Sequence, residues 1–163
     1  MALRKAARAE PGAAKMPSMT AEEIRIGELV IRFLLEGDES GGTAALFEFT
    51  VPSSAMVPVA HSHDAYEETV YGLEGTLTWT VDGERREVGP GEVLCIRRGA
   101  VHRFENEGDV DARVLAVVTP CLLGPGYFRE IAAVVEKAVA AGSPPDPARL
   151  GEVMLRHGLT PAP

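Results

Sequence analysis

The sequence predicts an all-β domain, a sandwich or a barrel, followed by two short C-terminal α-helices. Between residues 24 and 119, short runs alternate apolar and polar residues with period two, and Gly-containing turns separate them. After Pro120 the apolar residues change to helical spacing. The chain of 163 residues is long enough for one domain with a full hydrophobic core. We therefore expect a flexible N-terminal tail over 1–20, a β-barrel domain over 21–121 and a helical extension over 122–163.

The predicted strands follow one another with little between them. Residues 24–35 alternate as one edge strand, a polar turn follows over 36–42, and a second strand covers 43–51. Asp82-Gly83 is a strong two-residue hairpin signal between two further strands. The nearly continuous apolar run over 113–119 predicts a strand that is buried on both faces.

Two amphipathic helices are expected at the C-terminal end. The first covers residues 127–141, and Asp146 caps the second with Pro147 at its first position. His157 lies in the last turn of the second helix, where a histidine complements the helix dipole more often than it binds a metal. The outside of the barrel, a partner subunit and the mouth of the pocket are three places where the helices can bury their apolar faces.

Composition excludes several classes of function. The net charge of −8 offers no basic surface for nucleic acid. No run of some 18 apolar residues predicts a membrane span, and the basic N-terminus lacks the apolar core of a signal peptide. Cys95 and Cys121 are too few for a disulfide framework and are expected to be buried free thiols. We therefore expect a cytoplasmic protein that binds neither nucleic acid nor membrane.

Three histidines carry the functional signal. His61 and His63 are two residues apart, so on a strand both imidazoles point to the same face. A new strand begins after the polar residues 64–66 and returns a carboxylate toward the same point, and His102 lies on a later strand of its own. Imidazole nitrogens combined with a carboxylate oxygen suit a divalent transition metal with open coordination positions.

The two stretches around these histidines resemble the two motifs of the cupin superfamily. The first motif is a small residue, His-x-His, a Glu and, six residues later, a Gly, and it is filled here by His61, His63, Glu68 and Gly75. Glu67 also fits the shorter spacing of the motif, but only Glu68 precedes the Gly by the required interval. The second motif is filled by Gly91, Gly99, His102 and Asn106. Two turn positions depart from the family pattern, because Ala55 replaces a Gly and Arg97 replaces a Pro.

The resemblance implies a small, single-domain, quercetinase-like cupin with a double-stranded β-helix, or jelly-roll, fold. It implies one divalent transition metal per chain inside the barrel mouth, with His61, His63, Glu68 and His102 as ligands. Fe, Mn, Ni, Co, Cu and Zn all accept such ligands, so the metal remains open. A homodimer through sheet edges is also implied, since an exposed edge strand otherwise promotes aggregation.

The leading prediction for function is a metal-dependent oxidoreductase of the dioxygenase type, acting on a small enolic or aromatic compound. A metal-dependent isomerase or lyase and a non-catalytic cupin that binds a small ligand are the alternatives. Glu68 is the candidate proton acceptor, as the resemblance permits. Strand alternation adds a pocket wall of Val70, Gly72 and Phe104. Further candidates for contact with a ligand are Tyr66, Tyr71, Arg97 and Arg98.

Overall fold

Two antiparallel β-sheets pack against each other in the computed structural model of the chain, which describes residues 22–53, 55 and 59–162. The strands are β1 (Glu23–Ile26), β2 (Leu29–Leu35), β3 (Ala45–Val51), β4 (His61–His63), β5 (Glu67–Glu74), β6 (Leu77–Val81), β7 (Glu84–Val88), β8 (Val93–Ile96), β9 (His102–Glu105), β10 (Ala112–Thr119) and β11 (Leu159–Pro161). The helices are α1 (Gly37–Ser40), α2 (Pro125–Ala140) and α3 (Pro147–Arg156). The predicted tail over residues 1–20 lies outside the described residues.

The order of the strands defines a jelly roll. One sheet has six strands in the order β1-β2-β3-β10-β5-β8, and the other has five in the order β11-β4-β9-β6-β7. The predicted hairpin at Asp82-Gly83 joins β6 to β7, with Val81 opposite Glu84. The predicted all-β class with two C-terminal helices is confirmed.

The hydrophobic core lies between the sheets and is built by period-two alternation. In β3, for example, Ala45, Phe47, Phe49 and Val51 are buried while the residues between them are partly exposed. Removing one apolar face of each strand from water is the main driving force for this arrangement. The interior of the barrel is therefore apolar except where the functional side chains enter it.

Helix α2 buries its apolar face against the inside of the six-stranded sheet. The ring centroid of Phe128 lies 5.3 Å from that of Phe47 and 5.7 Å from that of Phe33, both of which point inward. Asp146 caps α3 as predicted, because its carboxylate accepts a hydrogen bond from the backbone N–H of Ala148. Among the residues that the structure describes, no helix is both long and apolar enough to cross a membrane.

Three boundaries differ from the sequence prediction. Residues 24–35 form two strands rather than one, because Gly27 adopts a left-handed φ of 59° and turns the chain between β1 and β2. The predicted polar turn over 36–42 contains the one-turn helix α1. Strand β11 was not predicted, since its three residues become a strand only by pairing with β4.

Two predictions about burial were wrong. Cys95 is exposed on the edge strand β8, whereas Cys121 is half-buried, and both are free thiols. Strand β10 is buried on one face only, and the side chains of its other face are partly exposed.

Candidate metal centre

Three histidines converge inside the barrel because their strands are neighbours in the five-stranded sheet. His61 on β4 pairs directly with His102 on β9, and His63 follows two residues later on the same face. One ring nitrogen of each histidine lies within 4.8 Å of a ring nitrogen of the other two. The three residues are 9%, 1% and 2% exposed for His61, His63 and His102. This group is placed to hold a metal ion.

Backbone carbonyl groups orient all three rings in the same way. The Nδ1 atom of His61 lies 3.0 Å from the carbonyl oxygen of Val59, that of His63 lies 3.1 Å from the oxygen of Tyr66, and that of His102 lies 3.1 Å from the oxygen of Ala100. A carbonyl oxygen only accepts hydrogen bonds, so each Nδ1 carries the proton. Each Nε2 is therefore left as the ring atom available to a metal ion, as in histidines that bind metals.

Glu68 approaches the histidines from the opposite sheet. Its Oε2 atom lies 3.4 Å from Nε2 of His63 and 3.6 Å from Nε2 of His102, and its side chain is buried. The neighbouring Glu67 points outward, where its carboxylate pairs with Arg98 at 2.8 Å. Of the two carboxylates that the spacing of the motif allowed, Glu68 is the one that faces the histidines.

The electrostatics of the site favour a neutral His61 beside an ionised Glu68. Burial lowers the pKa of His61 to about 4, and the nearby His102 lowers it further. Burial by itself raises the pKa of Glu68, but the imidazoles of His102 and His63 lower it by more, to about 2. At neutral pH the Glu68 carboxylate and the His61 imidazole are therefore in the forms that bind a metal ion.

The donor set fits a divalent transition metal. The Nε2 atom of His63 is buried and has no hydrogen-bond partner, which is unfavourable unless a ligand occupies that position. Three neutral nitrogens and one carboxylate oxygen suit an ion of intermediate softness, and with a divalent ion the site would carry a charge of about +1. Glu68 lies at these distances from two of the histidines, His63 and His102. The atoms that all lie close to one another are therefore the ring nitrogens of the three histidines.

Two of the three predicted pocket residues face the interior, and the third has a different role. Val70 and Phe104 are buried, and the ring of Phe104 packs 4.9 Å from that of Trp79. Gly72 makes no room for a substrate, because a Cβ atom there would lie 1.9 Å from the carbonyl oxygen of Gly89. Its missing side chain instead allows the close approach of two backbone segments, which corrects the predicted role of this glycine.

The other residues considered from the sequence as ligand contacts or metal ligands lie either in the interior of the barrel or on its surface. Tyr66 is fully buried and its ring stacks on that of His63, with centroids 4.3 Å apart. Tyr71 lies on the exposed face of β5, and Arg97 is exposed as well. His157 is not part of the metal group, and its Nε2 atom lies 2.8 Å from a carboxylate oxygen of Glu130. Among the tyrosines and arginines proposed as ligand contacts, Tyr66 alone adjoins the histidines in the described part of the chain.

Sequence reasoning missed the burial of Tyr127 and the presence of β11. Burial raises the pKa of Tyr127 on α2, and the charge of Glu68 raises it further by a smaller amount. Strand β11 covers β4, with Leu159 opposite His63. The helical periodicity of the sequence predicted the apolar face of α2 but did not indicate the surface against which that face packs. Asn106 of the second motif supports a turn, because its side-chain amide donates to the carbonyl oxygens of Val51 and Val110.

Comparison with known proteins agrees with this geometry. The family described as "Cupin domain" matches residues 47–118. An uncharacterized protein of Methanocaldococcus jannaschii is 30% identical over 110 residues, which cover 68% of this chain and 83% of that protein. The chain belongs to the cupin superfamily. The family match contains all three histidines and Glu68, whereas α2, α3 and β11 lie beyond it.

Other relatives of this chain have assigned names. The tetracenomycin polyketide synthase protein TcmJ of Streptomyces glaucescens is 32% identical over 89 residues, which are 55% of this chain and 60% of TcmJ. Quercetin 2,3-dioxygenase of Bacillus subtilis is 32% identical over 73 residues, which are 45% of this chain but 21% of that enzyme. This cupin therefore spans less than two thirds of either relative.

A solved structure resembles this cupin over most of its length. The polyketide cyclase RemF from Streptomyces resistomycificus superimposes with a TM-score of 0.51 and 26% sequence identity. The superposition covers 71% of this chain and 80% of RemF. The shared fold supports the jelly-roll assignment, and the relatives as a group include enzymes of more than one reaction class.

Proposed function

We propose that this cupin is a metal-dependent enzyme that acts on a small enolic or aromatic compound inside the barrel. The observation that carries the proposal is the group of three buried histidines, each with its Nδ1 turned toward a backbone carbonyl oxygen, beside the ionised Glu68. We propose His61, His63, His102 and Glu68 as the metal ligands. A site of small positive charge within an apolar interior favours an anionic oxygen ligand on an otherwise apolar molecule.

The protein groups have separable roles in this proposal. When bound, a divalent metal supplies Lewis acidity, which stabilises negative charge on a substrate oxygen. Glu68 would accept a proton from an acidic C–H or O–H of the substrate when it is not coordinated, because it is ionised and lies beside the histidines. Val70, Phe104 and Trp79 form apolar walls that exclude water from the charged substrate oxygen.

The reaction class that we favour is enolate chemistry without an oxidant, of the kind a cyclase or isomerase performs. Two relatives, TcmJ and RemF, are named as a polyketide synthase protein and a polyketide cyclase. A polyketide offers several carbonyl groups with acidic C–H bonds between them. Glu68 would remove one such proton to form an enolate and return it to the product, so that no net oxidation takes place.

A dioxygenase is the second candidate function. The similarity to quercetin 2,3-dioxygenase supports it, and so does a donor set that accepts redox-active metals. It is the weaker candidate because the match covers 21% of that enzyme. The two candidates share the substrate class and differ in whether dioxygen is consumed.

A single experiment tests the proposal and separates the two candidates. Metal-stripped protein is reloaded with Fe(II), Co(II), Ni(II) or Zn(II) and incubated with a panel of phenolic β-diketones and hydroxyflavones, while an oxygen electrode records uptake and mass spectrometry records products. Enolate chemistry predicts products that are isomers or have lost water, with no oxygen uptake and with activity in the Zn(II) form. Dioxygenase chemistry predicts oxygen uptake, a mass gain of two oxygen atoms and no activity with Zn(II).

Glu68→Gln and Glu67→Gln form a matched pair of variants for this assay. Glu68→Gln should lower turnover by at least about a hundredfold, which is the usual contribution of a general base. Glu67→Gln should leave turnover within twofold, because that carboxylate faces solvent and pairs with Arg98. Equal turnover in the two variants would contradict the role of Glu68. If panel compounds bound stably without forming any product, the protein would be a ligand-binding cupin rather than an enzyme.

A further inference from the structure

Strand β4 carries two of the proposed metal ligands and is held mainly by its neighbours. It has three residues, and within the described part of the chain its pairing with β9 consists of the single pair of His61 and His102. On its other side, β11 pairs with all three residues of β4. A strand this short is stable only through its partners. The backbone position of β4 therefore depends on β11 as well as on β9.

The hydrogen bonds between β4 and the C-terminal strand fall on alternate residues. The backbone N–H of Ala162 donates to the carbonyl oxygen of Ala60 over 2.8 Å. In an antiparallel ladder the next hydrogen-bonded pair lies two residues along each strand, which is Thr160 opposite Ser62. Pro161 occupies the pair between them, opposite the first histidine of β4, where its missing N–H removes no hydrogen bond. Hydrogen bonds from the C-terminal strand therefore lie on both sides of that histidine.

The orientation of His61 depends directly on this pairing. Its Nδ1 atom donates to the carbonyl oxygen of Val59 over 3.0 Å, so the ring is oriented by the residue two positions before it. Val59 is followed at once by Ala60, whose carbonyl oxygen accepts the hydrogen bond from Ala162. The C-terminal strand thus holds the backbone segment that orients the His61 ring.

The other two histidines have supports of their own. The carbonyl oxygen of His63 accepts a hydrogen bond from the N–H of Gly99, and its ring stacks on that of Tyr66. His102 lies on β9, which pairs along its whole length with β6. Loss of the pairing between β11 and β4 should therefore displace His61 more than the other two.

Strand β11 is anchored through the C-terminal extension. Leu159 at its start is buried, and so is Met154 on the preceding helix α3. At the end of α3, the Nε2 atom of His157 lies 2.8 Å from a carboxylate oxygen of Glu130 on α2. These residues all lie beyond the region that matches the cupin family.

We propose that β11 positions His61 for the metal ion, through the backbone N–H groups of Thr160 and Ala162. The inference rests on the proposed function, because it concerns a ligand of that same site. Thr160 and Ala162 are positioning residues, since they act on the metal through His61. The metal affinity of this cupin thus depends on the pairing of a strand that lies outside the matched family region.

The test measures the zinc affinity of the full chain by competition against a chromophoric chelator. Thr160→Pro removes the N–H that faces Ser62 and should weaken zinc binding by about tenfold, at the lower end of the effect of changing groups that orient metal ligands. Thr160→Val is the matched control, because it keeps the N–H and changes only an exposed side chain. Its affinity should stay within twofold of wild type.

A second pair of variants tests the other hydrogen bond. Ala162→Pro removes the N–H that donates to Ala60 and should also weaken zinc binding, whereas Ala162→Ser keeps this N–H and should bind as wild type does. Because Ala162 is followed by one residue only, this pair decides the question if Thr160→Pro does not fold. Wild-type zinc affinity in either proline variant that folds would overturn the inference.

Combined variants separate positioning of His61 from a general loss of stability. In a His61→Ala background, Thr160→Pro should have no further effect on zinc affinity, because the ligand on which it acts is gone. In a His63→Ala background it should keep its effect. Leu29→Ala removes a buried side chain from the other sheet, so it should lower the Tm but leave zinc affinity within twofold.

The outcomes distinguish this inference from the proposed metal site. Equal effects of Thr160→Pro in the two histidine backgrounds would overturn the inference while leaving the metal site in place. A loss of zinc affinity in Leu29→Ala as large as that in Thr160→Pro would also overturn it, because stability alone would then account for the effect. Failure of wild type to hold zinc would instead refute the metal site and, with it, the inference.

Discussion

Glutamate and tyrosine residues lie both inside and outside the barrel, and their surroundings differ between the two places. Inside, Glu68 faces two histidines and is shielded from water, whereas the adjacent Glu67 is an exposed partner of Arg98. Tyr66 is buried beside the histidines, whereas Tyr71, five residues later, is 43% exposed. One step along a strand thus moves a side chain from the candidate centre to the surface.

This comparison shows that the properties of a side chain at this site depend on its burial in the barrel more than on its residue type. Burial removes water from His61 and lowers its pKa to about 4, which keeps its lone pair available. His157, outside the metal group, has a quarter of its side chain exposed and pairs with Glu130. The following substitutions change residues inside the barrel, residues on its outside, or the helix packing that encloses the interior.

The largest expected effect concerns metal binding. His102→Ala removes one of three converging nitrogens and should lower zinc affinity on the order of a thousandfold, since changes to the partners of ligands already cost 10–100-fold. His157→Ala should leave affinity within twofold. The measurement is competition against a chromophoric chelator, with metal content per chain checked by plasma mass spectrometry. Stoichiometric metal in His102→Ala would refute the proposed centre.

The second prediction concerns the enclosure provided by the C-terminal helices. Phe128→Ala should destabilise the protein by about 4 kcal/mol, because it deletes an aromatic ring packed against Phe33 and Phe47. Leu155→Ala changes a residue that is 63% exposed and should cost less than about 0.5 kcal/mol. Urea denaturation measures both values. Equal losses would mean that α2 does not close the barrel in solution.

The third prediction concerns pH. Burial lowers the pKa of His61 in the folded chain to about 4, against an ordinary histidine value of 6.5, so between these pH values the unfolded chain binds a proton and the folded chain does not. Stability of the metal-free protein should therefore fall as the pH drops from 6.5 to 4, by up to about 3 kcal/mol from this residue. Glu68, whose pKa is lowered to about 2, adds its loss only below pH 4.5. Denaturation at a series of pH values, compared with His61→Gln, isolates the contribution of the histidine. A pH dependence identical in the two proteins would contradict this assignment.

The smallest expected effect lies on the outer face. Arg98→Ala removes the partner of Glu67, and exposed ion pairs contribute little because water and salt screen them. The free energy of unfolding should change by less than about 0.5 kcal/mol, and zinc affinity should not change. A substantial loss of zinc affinity on this substitution would show that the outer face is coupled to the centre.

Much of the barrel could be predicted from the sequence because alternation is a local property. The strands, the Asp82-Gly83 hairpin and the Asp146 cap all follow from residues within a few positions of one another. The homodimer remains a prediction. The three residues of β11 have no such local signal, since a strand of that length is stabilised only by its partner β4.

In the candidate site, too, some features could be predicted from local sequence and others could not. The sequence by itself determined that His61 and His63 share a face, because this is a relation of spacing, and the resemblance to the cupin motifs implied the carboxylate and the third histidine. Only the tertiary structure decided that β4 and β9 are neighbours, that Gly72 makes room for backbone, and that Tyr127 on α2 is buried. The physical reason is that contacts between distant segments depend on sheet order and on the burial of helix faces, and neither is encoded in the residues on one side of the contact alone.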